Sequence, residues 1–253
     1  MYKFYHEGFF GYSLTTDFKM FSFWHFLPIV LMIISIICIY KNKEKIAKWK
    51  YEGTFRFIYA FIMIIVEMSY YWRLVYVGDD KGEFTLMNRL PIQICQWGII
   101  IAAFMLMSKN QKLYSVSYFI TLFFTPIALV YPMVIYNTGP SYYRYYQYWL
   151  EHIMPIIAVF YMKFVYGYKP NYKGLLMAYS FLWFIAILSV IANNRIEHAV
   201  YLYLDVLSFL NLPQYVIILI LGIITFAVFN IEYFLQKRIY AKLDAKKRTN
   251  QET

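Results

Sequence analysis

The feature that most constrains this chain is the recurrence of apolar stretches about 20 residues long, the length an α-helix needs to cross a hydrocarbon core of about 30 Å. Seven can be drawn, approximately Ser22 to Tyr40, Phe55 to Val77, Leu90 to Met107, Leu113 to Tyr136, Tyr145 to Phe164, Gly174 to Asn193 and Leu212 to Leu235. They consume most of the 253 residues. The longest connection, Asn194 to Asn211, is too short to hold a globular domain. The expected fold is therefore all-α: a polytopic membrane protein built as one seven-transmembrane-helix bundle over residues 1–253, with residues 236–253 as a basic tail. With 61% hydrophobic and 15% charged residues, the chain is set apart from both water-soluble and disordered sequences.

The formal charge of +10 would suggest nucleic acid in a soluble chain; here it reports topology. Of the 24 Lys and Arg residues, 17 fall between spans one and two, three and four, five and six, or in the tail, and seven fall on the other side. The positive-inside rule then predicts an outside N-terminus and a cytoplasmic C-terminus, in agreement with an odd span count. The protein is expected in the cell membrane as a multi-pass protein, with membrane lipid as substrate or ligand and no nucleic-acid partner; the sequence leaves its oligomeric state open. The first span lacks a small-residue cleavage site and reads as a retained helix, not a signal peptide.

Polar groups at membrane depth are costly, about 2.5–3.5 kcal/mol for a charged residue at a helix centre, and they mark functional positions. At about 1.5 Å per residue from the outer ends, Gln214, His25, Arg73, Cys95 and His152 fall within about 10 Å of one face, with Glu67 somewhat deeper. Asn193 and Asn194 close span six on the same side. The placement predicts a polar cavity toward the outer leaflet. Each such residue also has a plain reading, a single interhelical hydrogen bond worth about 0.6 kcal/mol, which is favoured for His25, Asn193 and Gln214 taken alone. Glu67 and Arg73 are six positions apart, too far round one helix to pair directly.

The two cysteines differ. Cys38 lies in the uniform apolar run IISIICIY, whereas Cys95 follows Pro91 and is flanked by Gln93 and Gln96. They lie near opposite faces, about 20 Å apart by helix rise, beyond the roughly 7 Å limit for a disulfide. Cys95 is thus available as a thiol, with His152, at matching depth, as the candidate base. Glu151 is expected to point roughly 100° away from His152 and is not assigned as its orienting partner. No Cys/His cluster suggests a metal, and no cofactor is implied. Span seven holds no Lys for a retinal Schiff base, and no internal repeat of the transporter kind is apparent.

FSFWHFLPIVL, VEMSYYWRLVY, LPIQIC, YWLEHIMPII and NLPQYVIILI, in that order, resemble segments of the bacterial YwaF-type integral membrane proteins and their eukaryotic relatives, the transmembrane protein 164 acyltransferases. The likeness spans nearly the whole chain. It implies transfer of fatty acyl groups on glycerophospholipids by a Cys and a His, carried here by Cys95 and His152. Gln93 stands where most bacterial relatives have His. On this reading the activity is acyl transfer or lipid hydrolysis through an acyl-thioester. Arg73 would hold a phosphate, Gln93, Gln96 or Asn194 would donate to the oxyanion, and Glu67, His25 and Gln214 would complete the cavity. The alternative is a non-enzymatic lipid or small-molecule binding protein, transporter or sensor using the same cavity.

Overall fold

The computed structural model describes residues 8–11, 18–77, 90–132, 138–196, 201–202 and 212–252, with side chains through residue 242. The described residues form seven α-helices and no strand: α1 Phe23–Ala47, α2 Glu52–Val77, α3 Ile94–Ser108, α4 Gln111–Val130, α5 Tyr143–Tyr166, α6 Tyr172–Arg195 and α7 Gln214–Glu252. The last four residues expected in the fourth span, 133–136, lie outside the described set.

Five of these helices, α1, α2, α4, α6 and α7, are long and apolar enough to cross a membrane. The other two depart from the uniform spans expected. Helix α3 has only 15 residues, about 22 Å of rise. Helix α5 carries Arg144, Gln147, Glu151, His152 and Lys163, and it tolerates them because it packs against α1, α2, α3 and α4 at once. As the central helix it buries residues on every face. The outer helices show the reverse pattern, with exposed Ile, Leu and Phe along α1, α2, α6 and α7. Helix α7 continues without a break through the basic tail to Glu252; its 39 residues rise about 58 Å, so one end projects beyond any bilayer.

Proline and helix-end chemistry explain several buried side chains. Pro28 lies inside α1 and has no N–H for the carbonyl of Trp24; that oxygen accepts instead from the Tyr145 hydroxyl. Helix α4 ends at Val130, and Pro132 has no N–H to offer the carbonyl of Ala128. Tyr148 Oη donates to Ala128 O at 2.7 Å, and His25 Nε2 donates to Leu129 O at 2.8 Å. Side chains of α5 and α1 thus cap α4. At the far end of the bundle Arg56 pairs with Glu52 at 3.1 Å and donates to the carbonyls of Leu106 and Met107, capping α3. The Tyr161 hydroxyl donates to the same Glu52 carboxylate at 2.7 Å.

Candidate functional site

The short α3 leaves room above its N-terminus, and there the bundle encloses a cavity of about 520 Å³. Its polar end is formed by Gln93, Cys95 and Gln96 of α3 with Arg144, Glu151 and His152 of α5. Its remainder is an apolar slot between α4, α6 and α7, walled by Phe123, Phe124, Leu182, Trp183, Leu221 and Ile224.

Gln93 is the N-cap of α3, so Pro91 lies in the turn before the helix and not within it. Cys95 is the second helical residue, inside the first turn, where backbone N–H groups lack intrahelical partners and the helix dipole favours negative charge. The α3 N-terminus is held on two sides. Gln96 Oε1 accepts from Gln93 N at 3.2 Å and Gln96 Nε2 donates to Tyr71 Oη at 2.7 Å, so both ends of that amide are engaged. Gln93 Oε1 accepts from Leu202 N at 3.3 Å, and Tyr201 Oη accepts from Leu90 N at 2.7 Å. Tyr201 is in turn locked to Asn193 by paired bonds of 2.7 and 3.2 Å. Tyr201 and Leu202 therefore brace the start of α3 and line the cavity beside it, and Leu202 adopts a φ of 60°.

His152 is buried and lines the same cavity from α5. Its Nδ1 lies 2.7 Å from Tyr148 O. A carbonyl oxygen only accepts, so Nδ1 carries the hydrogen and Nε2 is the nitrogen with a free lone pair in the neutral ring. The Tyr148 ring lies against the imidazole, tilted by 34° with centroids 4.3 Å apart. Cys95 and His152 thus share one cavity on helices that pack directly, but no hydrogen bond joins them; a water or a substrate atom must bridge the proton path.

The other residues singled out from sequence scatter. Arg73 donates from Nε to Phe10 O and from Nη2 to Gly11 O, both at 2.8 Å, tying the N-terminal segment to α2 and away from the cavity lining. His25 is consumed in its α4 cap and in accepting from Phe21 N at 2.9 Å. Asn194 is exposed and bonds to Val190 O of its own helix at 2.9 Å, and Gln214 is exposed at the start of α7. Glu67 is 3% exposed, and neither carboxylate oxygen has a hydrogen-bond partner. It sits in the field of Glu151 and Arg144, beside the cavity and not among its lining residues.

The cavity's own charged pair is Arg144 with Glu151 at 3.3 Å, reinforced by Gln147 Nε2 to Glu151 at 3.0 Å. Arg144 also lies over the rings of Tyr70 and Tyr148, 4.6 and 5.6 Å from their centroids. Glu151 is indeed not hydrogen-bonded to His152, but both reach the cavity because α5 is buried all round. Arg144, Tyr148 and Glu151 recur at four- and three-residue spacing, one face of a helix, and that periodicity was the available sign. Cys38 lies exposed on the outer face of α1. Among the described residues no three His, Cys, Asp or Glu side chains are grouped to hold a metal ion.

Comparison with the curated proteins and with the solved structures finds no match. The family model described as TMEM164 family matches residues 20–233. That match covers every helix contributing to the cavity, and the chain is a membrane protein of the TMEM164 family.

Proposed function

We propose that the protein is a membrane-embedded acyltransferase or lipid hydrolase of the cell membrane, acting on phospholipid acyl chains through an acyl-thioester on Cys95. One observation carries this: the thiol of Cys95, in the first turn of α3, and the imidazole of His152 line one cavity that continues into an apolar slot. His152 Nε2 takes the thiol proton through a bridging water or substrate atom, and the thiolate attacks the ester carbonyl carbon. The ester C–O bond breaks, and the departing lipid hydroxyl recovers the proton from His152. A second hydroxyl, of lipid or water, loses its proton to His152, attacks the thioester and restores the Cys95 thiol. Arg144, facing the cavity, takes over the phosphate role first assigned to Arg73.

The reading includes seven membrane crossings, with α3 and α5 shielded by the outer helices, the N-terminus outside and the C-terminus in the cytoplasm. A C-terminal alkaline phosphatase fusion should be inactive in intact cells; activity there reverses the orientation.

The chemistry is tested by incubating purified protein with alkyne-tagged phospholipid and scoring hydroxylamine-sensitive label. Label should survive Cys38→Ser, vanish in Cys95→Ser and fall sharply in His152→Ala. Equal labelling of both cysteines, or none on Cys95 in folded protein, leaves a cavity that binds lipid without reacting with it.

A further inference from the structure

The cavity is not closed on all sides. Ile127 and Ile224 both line it, yet they are 57% and 50% exposed on the outer surfaces of α4 and α7. A side chain that faces both an internal cavity and the outside marks the rim of an opening. At this height α4 and α7 are held apart. They meet deeper, where Phe229 of α7 packs against Phe119 and Phe123 of α4, ring centroids 5.4 and 5.7 Å apart. On α6, Trp183 closes the opposite wall by lying against Gly222, where an added Cβ would come within 2.6 Å of its ring. The gap is therefore a slot, open through the α4–α7 flank and blocked below by the Phe229 cluster. Its rim and walls are apolar; its inner end holds Arg144 and Gln93.

We propose that this slot is a binding site for one acyl chain of a glycerophospholipid, which slides in sideways from the bilayer between α4 and α7 past Ile127 and Ile224. The polarity gradient fits that ligand. Exposed Ile on both flanking helices is continuous with the hydrocarbon of the membrane, so the chain passes from lipid to slot without meeting water. The headgroup phosphate then comes to the end that carries the Arg144 guanidinium. The site rests on the cavity already described and not on the reactivity of Cys95, so the two stand or fall separately.

The test uses the full chain in vesicles of phosphatidylcholine doped with a phosphatidylcholine bearing a diazirine at its acyl terminus, irradiated and mapped by peptide mass spectrometry. Crosslinks are expected at buried slot residues such as Leu182 and Ile218. They should be retained in Cys95→Ser, lost in Ile127→Trp and Ile224→Trp, and unchanged in Ile223→Trp, which alters an exposed α7 residue outside the lining. Crosslinks confined to outward residues such as Ile187 and Ile223 overturn the site. Slot crosslinks insensitive to both rim tryptophans overturn the lateral path. Slot crosslinking without hydroxylamine-sensitive label on Cys95 leaves this site intact while the acyl-transfer reading fails.

Discussion

The Nδ1–H of His152 donates to the carbonyl oxygen of Tyr148 at 2.7 Å, one helical turn back on α5. The bond fixes the tautomer and aims the basic nitrogen without any carboxylate orienter, so the imidazole is held by its own helix. Replacing His152 with Ala should slow acyl-enzyme formation by about 10²–10⁴-fold, the usual worth of a positioned base. The space left should let added imidazole restore part of the rate. Single-turnover labelling with and without imidazole checks this; a His152→Ala rate equal to wild type would take the base role away.

His25 and Tyr148 should separate stability from chemistry. Each satisfies a carbonyl at the end of α4 that the helix itself cannot. His25→Leu and Tyr148→Phe should each cost about 1–3 kcal/mol, the penalty for an unsatisfied buried acceptor, seen as a lowered melting temperature in detergent. Protein that remains folded in His25→Leu should still acylate Cys95 at the wild-type rate. A His25→Leu protein of unchanged stability but lost labelling would restore the functional role that sequence depth suggested.

The carboxylates around Arg144 make a sharper pair. Arg144→Met strips the partner from buried Glu151 and leaves Glu67 and Glu151 facing each other, so it should destabilise by about 3 kcal/mol or more. Arg144→Met with Glu151→Gln should lose less than the single change. Glu67→Leu should raise the melting temperature, because it replaces two buried oxygens that have no partner with an apolar side chain. Chemical denaturation of wild type, Arg144→Met, Glu151→Gln and the double decides between coupling and simple additivity.

Much of this arrangement was legible in the apolar spacing and in the composition of single segments. The helix positions followed from runs of about 20 apolar residues, and Cys95 and His152 stood out because a thiol and an imidazole at similar depth are rare in such runs. Long-range partnerships were not legible. Nothing local to Arg73 tells that the carbonyls of Phe10 and Gly11 will engage it, and nothing local to His25 announces an α4 end left bare by Pro132. The third span drawn from Leu90 begins four residues before α3, whose cap is Gln93, with Gln96 Oε1 accepting from its backbone N–H. The charges of α5 are accommodated by its central burial, which is a property of the bundle and not of the segment.

The packing of α6 on α4 rests on a missing side chain. A Cβ at Gly174 would lie 2.1 Å from the Cβ of Ser115, closer than two carbons can approach, at the point where the Ser115 hydroxyl accepts from Asn171 N at 3.3 Å. Gly174→Ala should therefore destabilise by about 1–3 kcal/mol, as overpacking does. Adding Ser115→Gly should recover part of that loss despite removing the hydroxyl. Thermal melts of the two singles and the double are sufficient; a Gly174→Ala protein as stable as wild type would mean that α6 shifts freely at this end.

Gln93 offers the most direct test of how the cavity would stabilise charge. Its Oε1 accepts from Leu202 N, and only the oxygen of an amide can meet a backbone N–H, so the Nε2 hydrogens lie on the other side. Among the described residues that Nε2 has no partner, and Gln93 lines the cavity two residues before Cys95. Gln96 cannot serve equally, since its oxygen and nitrogen are both engaged, and Asn194 bonds its own helix outside the lining. A free amide donor at this point suits the oxyanion formed when a thiolate adds to an ester carbonyl, a role whose loss usually costs about 10²–10³-fold in rate. Gln93→Met keeps the length, removes the donor and adds no charge beside the thiol. It should cut Cys95 acylation by that factor while leaving alkylation of Cys95 by iodoacetamide, which forms no oxyanion, nearly unchanged. Equal losses in both reactions would show that Gln93 only braces the start of α3 through Leu202.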